Sequence, residues 1–133
     1  MVTEKLFFRA DHVGSLLRPP SVLEARKRAG ITPAELRAVE DAAIRDVVAK
    51  QEECGLAVVT DGELRRENWY ADFIGRLGGV EISAAQNPSF KDDPNHDTGY
   101  KPKTVRTVGK IAHNASLLGP DFAFLDAQRS CLL

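Results

Sequence analysis

The chain has 133 residues, 43% of them hydrophobic and 28% charged, with a formal net charge of -1. That balance excludes wholesale disorder, and the scattered basic residues make no electrostatic case for a nucleic-acid or anionic-membrane partner. No apolar run approaches the roughly 20 residues of a membrane span, and the N-terminus lacks the apolar core of a signal peptide, so a soluble cytoplasmic protein is expected.

Leu6 to Ala10 reads as a first strand that runs into the polar stretch Asp11-His12-Val13-Gly14-Ser15. Arg18-Pro19-Pro20 then breaks the chain, and Ser21 with Glu24 has the spacing of a capping box for a short basic helix that stops at Gly30. A longer helix follows. Thr32, Pro33 and Glu35 supply its N-cap, first-turn proline and capping-box partner. Leu36, Val39, Ala43, Val47, Val48 and Cys54 recur at helical spacing, and Gly55 closes the helix.

Leu56-Ala57-Val58-Val59-Thr60 is a short apolar run without polar alternation, the pattern of a parallel strand buried on both faces. It ends in Asp61-Gly62-Glu63. In α/β folds ligands bind outside the carboxyl ends of the strands, so these two carboxylates are candidates for a site; equally, they could cap the next helix. Leu64 to Leu77 carries Trp69, Tyr70, Phe73, Ile74 and Leu77 at mostly helical spacing and predicts that next helix, ending at Gly78-Gly79.

Val80 to Ser83 and Thr104 to Ile111 read as strands, the second alternating with period two. The segment 86–103 between them is rich in turn residues, so a hairpin with a mobile tip is expected. His96 with Asp93 and Asp97 could suggest a metal ligand set, but the density of Pro, Asn and Gly favours a solvated loop. Pro120 and Asp121 open a short final helix. Cys54 and Cys131 are too few for a disulfide framework and too far apart for a CxxC site; packing on the inner face of the long helix is the expected role of Cys54.

Two of these segments carry a resemblance. Asp11-His12-Val13-Gly14-Ser15-Leu16-Leu17-Arg18-Pro19, and Thr60-Asp61-Gly62-Glu63 followed by Arg66 and Phe73, are similar to the start of the cobalamin-independent methionine synthase family, in its short single-barrel branch. The resemblance implies the N-terminal portion of a (β/α)8 TIM barrel carrying an inserted hairpin. Its first two βα units would occupy 1–79, the hairpin 80–112, and a short helix with a truncated tail 113–133. It also implies transfer of a methyl group from a methyltetrahydrofolate-type donor to a zinc-bound thiol such as homocysteine.

By match to the family motifs, Val13, Gly14 and Ser15 would contact the amino-acid substrate and Glu63 would meet its ammonium. His12, Asp61 and Arg18 sit beside these motifs as possible site-lining residues. A glycine that admits close approach, a hydroxyl donor and a carboxylate would together suit a zwitterion. On the residues alone, Gly14 and Ser15 could instead only turn the chain, with His12 packed under the loop.

The family's zinc ligands, a His-x-Cys pair with a later glutamate and cysteine, have no counterpart in this sequence. A barrel needs about 250 residues or more, so the chain is expected to be only its N-terminal portion and inactive in methyl transfer by itself. Two alternatives stay open. One is a non-catalytic module that self-associates through uncovered barrel faces, and the other is a family relative that alkylates a different thiol.

Overall fold

The computed structural model describes residues 12–56, 58–83, 91–93, 96–97, 103–113 and 115–128. In chain order its elements are α1 (Pro20–Lys27), α2 (Pro33–Glu53), α3 (Ala71–Ile74), β1 (Gly78–Ser83), β2 (Lys91–Asp93), β3 (His96–Asp97), β4 (Thr104–Ala112) and α4 (Gly119–Asp126). This is a mixed α and β fold. It divides into two compact units, one formed by Met1–Arg65 with Asp121–Leu133, the other by Arg66–Pro120. The expected first strand, 6–10, lies outside the described residues, as does Cys131.

The first unit is built on α2. Its start follows the sequence closely: the Thr32 hydroxyl accepts from the Glu35 amide at 3.2 Å, and the Glu35 carboxylate accepts from the Thr32 amide at 2.8 Å. At the other end Gly55 adopts φ 77, letting its amide bond the Glu52 carbonyl and the Leu56 amide bond the Gln51 carbonyl, which satisfies the last turn. Cys54 is the C-cap and is exposed, not packed inward as expected, because it lies one residue beyond the last helical turn.

The α1 helix starts two residues earlier than the Ser21 cap predicts. Pro19 is the N-cap and Pro20 the first helical residue, with no side-chain cap bond, so the Ser21–Glu24 capping box does not form. Proline lacks the amide hydrogen that a first-turn position leaves unpaired anyway, which makes it a ready starter there.

Val22 of α1, Ala43, Ile44 and Val48 of α2, and Leu64 form the core, with Val39, Val47, Val59, Phe124 and Leu125 packed against it. Two polar residues, Glu40 and Gln51, are buried on the same helix.

The expected buried strand at 56–60 is not part of a sheet: its described residues are irregular, and Val58 is exposed. A strand wet on neither face needs sheet neighbours, and none lies beside it among the described residues. In place of a strand neighbour, the Gln51 side chain pairs with the Thr60 peptide. Its Nε2 donates to the Thr60 carbonyl at 2.8 Å, and its Oε1 accepts from the Thr60 amide at 3.0 Å.

In the second unit the expected helix at 64–77 shrinks to α3. Residues 62–65 form turns, and the Asn68 side chain accepts from the amides of Tyr70 and Ala71, so helical bonding begins only there. Gly78 and Gly79, expected to end that helix, open β1 instead. The predicted hairpin is present: β1 pairs antiparallel with β4, with Ile82 opposite Val105 and a register shift between Gly78 and Val80. A second small antiparallel ladder joins β2 and β3 inside the excursion expected to be a mobile loop. The Tyr70 hydroxyl donates to the Lys103 carbonyl at 2.7 Å, and Lys103 pairs with Glu67.

Candidate functional site

The two motif-bearing segments meet in the first unit. The Leu16 amide donates to the Gly62 carbonyl at 3.0 Å. Ser15 and Glu63 are the chain neighbours of this bonded pair, so covalent geometry keeps their Cα atoms within about 9 Å of each other. The contact is tight on the side-chain face as well. A Cβ on Gly62 would stand 3.0 Å from the Leu16 Cδ1, and Gly62 itself has φ 64, so glycine is demanded twice over at this position.

The turn after Thr60 is held by its own side chains. The Thr60 hydroxyl accepts from the Gly62 amide at 3.1 Å, and the Asp61 carboxylate accepts from the Glu63 amide at 2.9 Å. Asp61 thus uses one carboxylate oxygen to shape the turn, a role typical of aspartate in such loops. Glu63 adopts φ 55, the one positive value at a non-glycine residue among those described. Left-handed backbone costs an ordinary residue about 1 kcal/mol or more, so such a conformation persists only where its surroundings over-determine it.

Those surroundings can be named. Leu64 is fully buried in the core. The Arg26 guanidinium donates from Nη2 to the Leu64 carbonyl at 2.7 Å and from the same atom to the Glu40 carboxylate at 2.8 Å. Next along the chain, Arg65 is buried and bonds Asp41 at 2.5 Å, while its guanidinium lies 4.5 Å from the Phe124 ring centroid. Asp121 of α4 completes this group, 2.8 Å from Arg37 and 3.8 Å from the Arg65 Nε. Glu40 and Asp41, adjacent on α2, therefore grip the turn through two different arginines.

His12, Val13, Gly14 and Ser15 are all exposed, Val13 at 90%, and Gly14 has φ 89 with open space where a side chain would stand. Arg18, Asp61 and Glu63 are half-buried. A groove elsewhere on the unit, between the segment at Leu17 and Pro19 and α2 residues such as Ala38, Ala42 and Val47, includes none of the predicted ligand residues except by adjacency. It is lined chiefly by small apolar side chains, with Asp46 and Lys50 on its edge, and offers no convergent polar set.

Among the described residues no group of three His, Cys, Asp or Glu side chains is placed to hold a metal ion, and no helix is long and apolar enough to cross a membrane. The predicted ligand residues thus give no zinc site of their own: serine, glycine and a single glutamate do not make the nitrogen and sulfur donor set that zinc prefers. The side chains of 91–97, including His96, lie outside the described residues.

Arg26, Glu40, Asp41 and Gln51 were not singled out by sequence reasoning. A signal existed for Glu40 and Gln51, since both interrupt the apolar stripe of α2 at helical spacing.

No family model matches the chain. It is 44% identical over 122 residues to the uncharacterized protein YxjH of Bacillus subtilis (strain 168), and 42% identical over 122 residues to the uncharacterized protein YxjG of the same organism. Each alignment takes in 89% of this chain and 31% of the relative. The fold is similar to the crystal structure of the "Putative Vitamin-B12 Independent Methionine Synthase" from Listeria monocytogenes, with a TM-score of 0.67 and 35% sequence identity over 91% of this chain and 32% of that one. The chain therefore spans about a third of the length of the proteins it matches. The likeness relates it to methionine-synthase-like proteins.

Proposed function

We propose that this chain carries the amino-acid-binding part of a methionine-synthase-like thiol methyltransferase, in which Val13, Gly14 and Ser15 contact an amino-thiol substrate and Glu63 pairs with its ammonium. The observation that carries the reading is the bond from the Leu16 amide to the Gly62 carbonyl, which joins the two segments that hold these residues. An exposed glycine and serine beside a half-buried carboxylate suit a zwitterion: the backbone and hydroxyl of Ser15 can donate to a carboxylate, and Glu63 can accept from an ammonium.

The whole reaction in this reading moves a methyl group from a methyltetrahydrofolate-type donor to a thiol such as homocysteine, on a (β/α)8 barrel of which this chain would form the N-terminal portion. A cytoplasmic location goes with it. Zinc, when bound, would lower the thiol's pKa and so supply a thiolate. No three-ligand group for it stands among the described residues, and no step assigned to this chain passes through it. The chain's own part is to bind and orient the amino acid.

Calorimetric titration with L-homocysteine tests the reading. Binding that weakens at least about tenfold in E63Q and is absent with the analogue lacking the amino group is expected; equal binding by E63Q would overturn it. A second reading, self-association, draws on the exposure of Val13 and Leu17, at 90% and 96%. Light scattering that finds a monomer at all concentrations would dispose of it.

A further inference from the structure

The turn that bears Glu63 is gripped through two arginines by neighbouring acids of α2, and the grip ends on the residues that immediately follow Glu63. We propose that Arg26, held by the buried carboxylate of Glu40, is a positioning residue for Glu63. Arg26 fixes the Leu64 carbonyl and so keeps Glu63 in the left-handed conformation that presents its carboxylate to the amino-acid ligand. The proposal rests on the reading of Glu63 as the ammonium partner and adds to it the device that aims the carboxylate.

Three observations converge. Glu63 holds φ 55 without being glycine, so something must oppose its return to ordinary backbone. The bonds within the turn, from the Gly62 amide to the Thr60 hydroxyl and from the Glu63 amide to the Asp61 carboxylate, fix the entry side of Glu63, and on its exit side the turn itself supplies the longer bond from the Leu64 amide to the Asp61 carbonyl at 3.3 Å. On that exit side one guanidinium nitrogen of Arg26 bridges the Leu64 carbonyl and the Glu40 carboxylate at 2.7 and 2.8 Å. Glu40 is 6% exposed, and a carboxylate is seldom buried so deeply without a partner whose position matters. If its purpose were only to neutralise Arg26, a solvated pair on the surface would serve with less desolvation. The neighbouring Asp41–Arg65 pair anchors the next residue.

Hydrogen exchange by NMR on the full chain, combined with L-homocysteine titration, tests this. In R26Q the amides of Glu63 and Leu16 should exchange about tenfold faster, the loss expected for one charge-assisted bond, while those of Ile44 and Val48 in α2 stay unchanged. Homocysteine affinity should fall by a similar factor of about ten. R26K, which keeps a cation that can reach the carbonyl, should recover part of both effects.

E40Q, which keeps the acceptor and removes the charge, should loosen the same two amides more mildly; it replaces R26Q if that variant does not fold. Unchanged exchange at Glu63, or an equal rise at Ile44 and Val48, would overturn the positioning role. If the turn loosens selectively but the wild-type chain and E63Q respond to homocysteine alike, the clamp stands and the ammonium reading falls.

Discussion

Gln51 of α2 and Thr60 are joined by a two-way amide pairing: the glutamine side chain donates to the Thr60 carbonyl at 2.8 Å and accepts from the Thr60 amide at 3.0 Å. The glutamine Nε2 also donates to the Val47 carbonyl at 3.0 Å, so the side chain is locked to its own helix. The segment entering the Asp61–Glu63 turn is thus attached to α2 by a buried side chain.

Removing that side chain should be costly. In Q51A both polar groups of the Thr60 peptide lose their partner in a half-buried setting, at a cost of about 2 kcal/mol. Q51E, which cannot donate to the Thr60 carbonyl, should recover little of it. Urea denaturation followed by circular dichroism checks both.

Gly62 and Gly14 separate two costs of adding a methyl group. At Gly62 the new Cβ meets the Leu16 side chain at 3.0 to 3.2 Å and the backbone has φ 64; at Gly14, with φ 89, it meets nothing within 4 Å. G14A should therefore show backbone strain of about 1 kcal/mol alone. G62A should exceed it by a further amount of about 1 kcal/mol, and L16A, which removes the Cγ and Cδ1 contacts but keeps the Cβ at 3.1 Å, should relieve only part of that excess. A double-mutant cycle of G62A with L16A measures the difference.

The group around Arg65 predicts an asymmetry between its partners. The Arg65 side chain is 4% exposed, and that of the Asp41 it bonds is 21% exposed. D41A would leave a buried cation with Asp121 at 3.8 Å and the Phe124 ring, and should destabilise by about 2 kcal/mol. R65M, which keeps the packing on Phe124 and removes the charge to be solvated, should cost distinctly less. Chemical unfolding of the two variants under one buffer gives the comparison.

The N-cap of α2 gives a pH dependence. The Glu35 carboxyl is held below the usual glutamate value, first by the Thr32 amide and then by the Thr32 hydroxyl, against an opposing effect of desolvation, with the charge of Arg28 the least of the four. A lowered folded value means that the contribution is complete above the ordinary glutamate range and is lost as pH falls through that range toward the folded value. T32A should cost about 1 kcal/mol at neutral pH. E35Q should flatten the acid limb of the stability profile measured between neutral pH and the acid transition.

What could be read from the sequence was mostly what is local. The Thr32–Glu35 box, the Gly55 stop, the strand at Thr104 and the opening of α4 each depend on residues a few positions apart, and they are where the pattern puts them. Trp69, Tyr70 and Phe73 have helical spacing, yet Asn68 diverts the first amides and Trp69 is 74% exposed, so the spacing reports no buried helical face.

Arg26 and Glu40 are 14 residues apart, and Arg26 and Leu64 are 38 apart; no periodicity links such partners. Of the predicted site, the meeting of the two motif loops is visible in the bond between Leu16 and Gly62, while the grip behind Glu63 belongs to tertiary structure alone.

The central claim, that Glu63 receives the ammonium of an amino thiol, is tested most directly by isothermal titration of the chain and of E63Q with L-homocysteine and with the des-amino thiol. The account predicts heat of binding for homocysteine on the wild-type chain, at least about tenfold weaker binding on E63Q, and none for the des-amino compound on either. Equal affinity of the two proteins for homocysteine, or equal affinity of the wild-type chain for the two thiols, would contradict it.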